Sequence, residues 1–314
     1  MADEKAFDTL LLPFGAEALD RAADLIRAGF PVAIATETVY GLAADATNGE
    51  AVARIYAAKG RPRFNPLIIH VPTLEAASQI VAFDPLARSI AERFWPGPLT
   101  LVLPRLGSAG VAALASAGLP TLAVRVPAHP AMQALLAACG RPLAAPSANA
   151  SGRISPTRAE HVRASLDGRI KLIVDSGPTA IGLESTIIGV KDGKLRLLRH
   201  GPIGEAEIGI ALDSAGPGVE APGQLASHYA PRTPLRLGVR TRSDDQWLIG
   251  FGAIAGDATL SASGDLIEAA ATLFERLYEA DAQGRASIAI APIPNAGLGL
   301  AINDRLARAA APGN

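Results

Sequence analysis

Residues 51–71 read AVARIYAAKGRPRFNPLIIHV, and this stretch contains the unit on which the fold depends. Its first ten residues place Val52, Ile55 and Tyr56 on one face of a helix, and Gly60 is expected to end that helix. The last six residues, PLIIHV, form a short apolar run that is typical of a buried strand. A helix that leads into a buried strand indicates an α/β protein.

The same alternation extends to both sides of this stretch. Apolar runs predict further strands at 31–36, 98–103, 121–126 and 171–175, and PLAAPSAN (142–149) is expected to leave a strand and enter a polar loop. Helical patterns are predicted at 16–28, from Asp84–Pro85 to Phe94, and near 130–139. The strand PVAIAT is expected to run into a polar loop, TETVYGL (36–42). STIIGV and KLRLLR flank Lys191-Asp192-Gly193, which predicts a hairpin. We therefore expect a mixed α/β sheet with flanking helices over residues 7–205.

The composition changes after this region. Residues 214–234 hold Gly, Pro, Ser and Ala without periodicity, and we place a linker at 206–234. Beyond it, the runs PLRLGV, QWLIGF and SIAIAPI predict strands, with helices near 265–280 and from about 298. Residues 235–314 are therefore expected to form a small C-terminal α/β domain.

Composition excludes several classes of protein. Of the 314 residues, 49% are hydrophobic and 19% charged, which is enough for buried cores and too little charge for disorder. The net charge of −1 provides no global attraction to nucleic acid. A single cysteine, Cys139, excludes an internal disulfide framework and a zinc site built on several thiolates. We find neither a secretory signal nor an apolar run long enough to span a membrane, and expect a cytoplasmic location.

A cluster of cations follows the helix of the opening stretch. Lys59, Arg61 and Arg63 lie at its end, with Asn65 just beyond and His70 in the next strand. Arginine side chains match phosphate oxygens in bidentate pairs, so the cluster suits a polyphosphate. Cations at the C-terminal end of a helix also simply complement its dipole. The cluster alone does not separate these two explanations.

An arginine lies in the middle of the strand TLAVRV. Thr121, Ala123 and Arg125 share one face of this strand. Because a charged group among apolar neighbours is costly unless it meets a partner, Arg125 requires an anion. That anion is either a structural carboxylate or an acidic ligand.

Short polar side chains follow another strand, in AAPSANASGRISPT (144–157). They belong to Ser147, Asn149, Ser151, Ser155 and Thr157. The carboxyl edge of an α/β sheet is where such proteins bind ligands, although an ordinary polar loop has the same composition.

Two aromatic residues, His228 and Tyr229, lie in the linker. Their rings either pack on a domain surface or cover a bound ligand. The familiar phosphate-loop, HExxH, paired-cysteine and G-x-S-x-G motifs are absent from the sequence, so none of them assigns a chemistry.

The ordered motifs TETVYGL, AKGRPRFNPLIIH, FWPGPLT, TLAVRVP, APSANASGRISPT, LESTII and LLRHG resemble the YrdC-like family. The HYAP sequence of the linker and the closing GLGLAINDRLARAA segment resemble the longer, two-domain threonylcarbamoyl-AMP synthases. The resemblance implies a YrdC-like twisted mixed sheet with flanking helices, followed by a linker and a small Rossmann-like α/β domain.

The resemblance also implies an activity. Members of this family are nucleotidyltransferases that condense L-threonine, bicarbonate and ATP into threonylcarbamoyl-AMP and release pyrophosphate. A threonylcarbamoyl-transfer complex then uses the product to modify tRNA. Mg²⁺ is expected on the triphosphate, without a dedicated metal site in the protein.

The implied site residues fall into three groups. The KxR motif places the expected catalytic cations at Lys59 and Arg61. Contacts with ATP are implied for Arg61, Asn65, Thr121, Ser147, Asn149, Ser155, Arg199 and Tyr229. Contacts with threonine are implied for Thr38, His70, Arg125, the backbone at Ala145, and Ser185.

Two rival functions use the same fold. A non-catalytic module that binds double-stranded RNA would show strongly salt-dependent affinity and no pyrophosphate release. The net charge of −1 disfavours it and leaves room only for weak RNA contact through a local patch. A carbamoyl-adenylate enzyme of metallocentre assembly usually carries zinc-finger and acylphosphatase segments, which this sequence lacks.

Overall fold

An 11-stranded mixed sheet and a four-stranded parallel sheet organise the chain in the computed structural model. The structure describes residues 6–191, 193–216 and 218–312. The strands of the large sheet are β1 (Leu10–Pro13), β2 (Val32–Ala35), β3 (Tyr40–Asp45), β4 (Ile68–His70), β5 (Leu99–Pro104), β6 (Thr121–Arg125), β7 (Leu143–Ala144), β8 (Leu172–Asp175), β9 (Thr186–Lys191), β10 (Lys194–Arg199) and β11 (Asp213–Ser214). Their spatial order is β1-β8-β2-β3-β7-β4-β6-β5-β9-β10-β11.

The small sheet has the order β12-β15-β13-β14. Its strands are β12 (Leu235–Leu237), β13 (Gln246–Gly250), β14 (Ala258–Thr259) and β15 (Ser287–Ile290). The helices are α1 (Ala16–Arg27), α2 (Gly49–Lys59), α3 (Leu74–Ser78), α4 (Pro85–Phe94), α5 (Pro130–Cys139), α6 (Ala159–Leu166), α7 (Glu205–Ile208), α8 (Leu266–Asp281) and α9 (Gly299–Ala310), together with a 3-10 helix at Ala113–Ser116. Within the described residues, no helix combines the length and apolarity needed to cross a membrane.

Local sequence signals account for most of these boundaries. The Asp84 carboxylate caps α4 by accepting a hydrogen bond from the backbone N–H of Ala87, and Pro85 occupies the first turn. Gly60 ends α2 in the left-handed conformation, at φ +61°. The predicted hairpin is confirmed, because β9 and β10 pair antiparallel, with Lys191 opposite Lys194. Its central residue Asp192 lies outside the described residues.

The loop expected after the first buried strand is shorter than predicted. TETVYGL was interpreted as polar loop throughout, but β3 begins at Tyr40 and pairs antiparallel with β2, with Ala35 opposite Tyr40. The prediction was wrong for its last three residues, because the run from Tyr40 to Ala44 is apolar and is entirely buried. The polar residues that remain form a tight turn at 36–39.

The segment expected to be an unstructured linker is partly ordered into the large sheet. It includes most of α7, and β11 pairs parallel with β10. Further along, Ala230 bridges to Arg153, and its N–H donates to Gly152 O at 2.8 Å. Both ends of the intervening chain are therefore attached to the first domain.

The apolar core of the second domain continues into the first. This core forms between α8, α9 and the small sheet, and it includes residues of the first domain and the linker: Val39, Ile154, Leu183 and Tyr229. Gly182 has φ +76°, and a Cβ at this position would lie 2.5 Å from the backbone oxygens of Ala270 and Ala271 in α8. The two domains are thus packed backbone to backbone beside residues 182–185.

Candidate active site

A small cavity lies where the large sheet meets the linker. Most of the residues implied as substrate contacts line it: Thr38, Arg61, His70, Arg125, Ala145, Ser147, Ser185, Arg199 and Tyr229. They come from the turn after β2, the ends of β4, β6 and β10, and the loops next to α2, β7 and β9. The cavity volume is about 40 Å³, which is room for a few water molecules.

Arg125, the last residue of β6, is buried, and its guanidinium has three close partners. Its Nε donates to Gly97 O at 3.1 Å and its Nη1 to Thr38 Oγ1 at 3.0 Å. Its Nη2 lies 2.7 Å from Glu37 Oε1. The structural carboxylate that the sequence left open is therefore Glu37. Because Arg125 also lines the cavity, the guanidinium remains placed to meet a second anion there.

Burial and the charge of Arg125 shift the pKa values of its neighbours Glu37 and His70. Burial raises the pKa of Glu37, but the ion pair and hydrogen bond with Arg125 outweigh it, so the pKa lies below its ordinary value. His70 ends β4 directly beside Arg125 in the parallel register. Burial, together with the Arg125 charge, lowers the pKa of His70 to about 3. His70 is therefore neutral at pH 7, and its Nδ1 has no hydrogen-bond partner among the described residues.

Two further arginines face the cavity and are held by neutral oxygens. Arg61 donates from Nε to Asn65 O at 3.3 Å and from Nη2 to Pro66 O at 2.9 Å. Arg199 donates from Nε and Nη2 to Ser185 O at 3.0 and 2.9 Å. Burial lowers the pKa of Arg61 to about 10, which leaves it charged at pH 7. Two fixed cations without a directly bonded carboxylate suit an anionic ligand.

Lys59 does not line the cavity. Its buried Nζ donates to the carbonyl oxygens of Ser147 and Asn149 and so fixes the loop that carries Ser147. Burial, and secondly the charge of Arg61, lower the pKa of Lys59 well below its ordinary value. Two of the three donors of the ammonium group therefore bind backbone acceptors, and the catalytic role expected from the KxR motif stays a prediction.

Four other residues expected to contact ATP do not line this cavity: Asn65, Thr121, Asn149 and Ser155. The Asn65 side chain is fully buried, and both its polar atoms lack hydrogen-bond partners among the described residues. Asn149 donates from Nδ2 to the carbonyl oxygens of Ala150 and Arg153. Ser155 donates its hydroxyl to Glu184 Oε1. Thr121 is half-buried at the start of β6.

The linker closes the cavity. Pro222, Gly223, His228 and Tyr229 contribute to its lining. Tyr229 is buried with φ +64°, a backbone conformation that is uncommon outside glycine. Its ring stacks on Phe274 of α8 at a centroid distance of 5.7 Å, and its hydroxyl has no hydrogen-bond partner among the described residues. The ring of Tyr229 thus packs on the second domain and also lines the cavity, so the structure leaves both roles of the linker aromatics open.

Sequence reasoning missed two carboxylates of the site. Glu184 lines the cavity and Glu37 binds Arg125. Each is the sole acidic residue of its motif, TETVYGL or LESTII, and a carboxylate beside buried apolar positions was the signal that could have found it. Within the described part of the chain, no group of three or more His, Cys, Asp or Glu side chains could hold a metal ion.

Comparisons with known proteins agree with this geometry. Residues 24–201 match the Sua5/YciO/YrdC family model, described as "Telomere recombination". Residues 196–311 match the model "Threonylcarbamoyl-AMP synthase, C-terminal domain". The threonylcarbamoyl-AMP synthases of Bacillus subtilis and Pyrococcus abyssi are 39% and 40% identical to this chain, and each alignment covers 92% of both proteins.

A solved structure extends the likeness to three dimensions. The crystal structure of Pyrococcus abyssi Sua5 complexed with L-threonine has a TM-score of 0.86 and 36% identity, with 97% of each chain covered. These matches confirm the predicted fold class and favour the catalytic hypothesis over the RNA-binding module. The chain belongs to the threonylcarbamoyl-AMP synthase family.

Proposed function

We propose that this protein condenses L-threonine, bicarbonate or carbon dioxide, and ATP into threonylcarbamoyl-AMP and pyrophosphate, and is thus a nucleotidyltransferase. The proposal rests on the arrangement of three arginine side chains around one cavity. Arg125 lies with Thr38 and His70, whereas Arg61 and Arg199 are anchored separately on backbone carbonyl groups. One guanidinium suits the carboxylate of an amino acid, and the other two suit a polyphosphate.

The threonine site would be formed around Arg125. Its guanidinium would bind the carboxylate, while neutral His70, the Thr38 and Ser185 hydroxyl groups and the Ala145 backbone would contact the remaining polar groups of threonine. A neutral His70 both donates and accepts hydrogen bonds without repelling the ammonium form of the substrate. The solved relative with L-threonine supports the choice of amino acid.

The triphosphate would lie along Arg61 and Arg199. Ser147, Ser155 and Tyr229 would contact the nucleotide, together with Asn65, Thr121 and Asn149. Lys59 would act through the loop it holds rather than on the phosphates. Mg²⁺ would arrive with ATP, and its ligands would be phosphate oxygens and water.

The proposed reaction needs no covalent enzyme intermediate. The threonine amine attacks the carbon of carbon dioxide or bicarbonate, and a carbamate forms with loss of a proton or of water. A carbamate oxygen then attacks the α-phosphorus of ATP, and the bond to pyrophosphate breaks. Buried cations stabilise charge on both the carbamate and the leaving pyrophosphate. We therefore attribute the rate acceleration to fixed electrostatics and to the positioning of the substrates.

The closed cavity requires a movement of the linker. Pockets for drug-sized ligands enclose roughly 300–1,000 Å³, far more than the volume of about 40 Å³ seen here. Since Pro222, Gly223 and Tyr229 form one wall, we propose that these linker residues move outward to admit ATP. The product would pass to a threonylcarbamoyl-transfer complex acting on tRNA. The cytoplasmic location expected from the sequence stays a prediction.

The test is product formation from defined substrates. Purified protein is incubated with ATP, Mg²⁺ and bicarbonate, with and without L-threonine, and pyrophosphate and the adenylate are quantified by chromatography. We expect both only when threonine is present. Equal product without threonine, or none with it, would refute the proposal.

Two substitutions separate the halves of the site. Arg125→Lys keeps the positive charge but loses the paired N–H donors of the guanidinium group. We expect the threonine KM to rise roughly 10- to 100-fold with a smaller effect on the ATP KM. Arg61→Ala is expected to abolish turnover. Arg88→Ala, which removes only an exposed ion pair with Glu92 on α4, is the matched control. A wild-type threonine KM in Arg125→Lys would exclude the carboxylate contact.

A further inference from the structure

One side chain of the second domain reaches the wall of the active site. Arg305 of α9 is fully buried, and its Nε donates to Glu184 Oε2 at 2.8 Å. Its Nη2 donates to His200 O at 2.8 Å, and its Nη1 donates to Asp304 Oδ2 at 2.6 Å. The guanidinium therefore bonds to two residues of the first domain and to one of its own helix.

The partner of Arg305 is the carboxylate that lines the cavity. Glu184 Oε1 accepts the hydroxyl hydrogen of Ser155, and Oε2 accepts from Arg305, so both oxygens are used. Burial raises the pKa of Glu184, but the charges of Arg305 and Arg199 outweigh it and hold the pKa below its ordinary value. Without Arg305, an anion would face a cavity that we assign to anionic substrates, and its repulsion would be weakly screened because the site is buried.

The same guanidinium supports the linker ring. Arg305 Cζ lies 5.1 Å from the centroid of the Tyr229 ring, within the range of a cation–π contact. Tyr229 also stacks on Phe274, and its left-handed backbone conformation persists only when its surroundings impose it. The Tyr229 ring also contacts His228 of the linker, at a centroid distance of 4.1 Å, but Arg305 and Phe274 come from the second domain.

We propose that Arg305 is a positioning residue of the nucleotide site, supplied by the second domain, which neutralises Glu184, orients Ser155 through it and seats Tyr229. This inference rests on the proposed function, because it assigns Ser155 and Tyr229 to ATP. It gives the second domain a direct part in substrate binding. The domain does more than anchor the linker.

A double-mutant cycle tests the pairing. Arg305→Met keeps the unbranched stem of the side chain but removes the guanidinium, so buried Glu184 loses the cation that is bonded to it. We expect the ATP KM to rise on the order of tenfold, with kcat less affected. In the double variant Glu184→Gln with Arg305→Met, no unpaired charge remains, and glutamine still accepts from Ser155. The ATP KM should return part of the way to the wild-type value, because the repulsion is removed but the contact with Tyr229 is not restored.

A binding measurement and a control complete the experiment. The dissociation constants of a non-hydrolysable ATP analogue should rank the variants in the same order as their ATP KM values. Arg276→Met, which breaks an ion pair of α8 with Glu279 away from the cavity, should leave the ATP KM unchanged. If Arg305→Met does not fold, Arg305→Lys replaces it. A single ammonium cannot bridge Glu184 and His200 while covering Tyr229, so a several-fold rise in the ATP KM is still expected.

The outcomes separate the two proposals. A wild-type ATP KM in Arg305→Met or Arg305→Lys, with only a lower Tm, would reduce Arg305 to a structural residue and overturn the inference. A double variant no better than Arg305→Met would overturn it as well. Failure of the wild-type protein to release pyrophosphate in response to threonine would instead refute the proposed function.

Discussion

Gly182→Ala provides a test of how tightly the second domain is coupled to the site. Gly182 adopts φ +76°, and an added Cβ would lie 2.5 Å from two backbone oxygens of α8. Ordinary contact begins near 3.4 Å, so α8 must retreat by roughly 1 Å or the 182–185 loop must move by that amount. Overpacking of this kind typically costs about 1–3 kcal/mol, in addition to the penalty for alanine in the left-handed region.

The control for this substitution has the same backbone conformation. Gly177 also adopts φ +76°, but a Cβ there would meet no atom within 4 Å. Gly177→Ala reports the conformational penalty without a clash, including the extra restriction on a residue that precedes proline, so the difference between the variants is a lower limit for the contact with α8. We expect Gly182→Ala to be less stable than Gly177→Ala by about 1–3 kcal/mol in urea unfolding.

The activity assay then connects packing with function. Because α8 carries Phe274, which supports the Tyr229 ring, a displaced helix should raise the ATP KM of Gly182→Ala above that of Gly177→Ala. Equal stability and equal ATP KM in the two variants would refute the reasoning. It would mean that the domain interface absorbs the extra methyl group without strain.

Two further predictions concern buried polar groups. Lys59→Met leaves the carbonyl groups of Ser147 and Asn149 without their donor, at about 1–3 kcal/mol each, so urea unfolding should show a clear loss of stability together with a raised ATP KM. Unchanged stability with a collapsed kcat would instead indicate direct catalysis. Burial lowers the pKa of both His70 and His228 to about 3, below the ordinary value of 6.5, so the folded state resists protonation. Stability should be full above pH 6.5 and fall as pH drops from there toward 3, by up to about 1.4 kcal/mol per pH unit for each group. A urea midpoint that is flat between pH 6.5 and 5 would contradict this, and His228→Asn should reduce the slope.

The sequence was sufficient to predict features that depend only on neighbouring residues. Asp84 followed by a proline starts a helix, and Gly60 ends one, because capping and the left-handed conformation depend on neighbouring residues alone. The mid-strand position of Arg125 showed that an anion must be near. It could not show which anion, because Glu37 is far away in sequence and is brought to Arg125 by the order of strands in the sheet.

The role of α9 could not be predicted from the sequence either, because it also depends on a contact between residues far apart in the chain. Its pattern predicts an amphipathic helix, and an arginine on such a helix is normally expected on the solvated face. Arg305 is buried because the second domain docks on the first, and that contact joins residues far apart in the chain. The KxR motif likewise could not show that the ammonium group of Lys59 meets the carbonyl oxygens of Ser147 and Asn149, which lie far away in sequence.

The attachment of the linker at both ends determines what kind of motion it can make. It is joined to β10 through β11 and to Arg153 through Ala230, so the chain between these points is a closed loop rather than a tether. Its contour length of about 50 Å limits how far it can swing. Doubling that length would add only about 0.6 kcal/mol of closure entropy. Insertions within it should therefore be tolerated by the fold, while the attachment of Ala230 keeps the neighbouring Tyr229 close to the first domain.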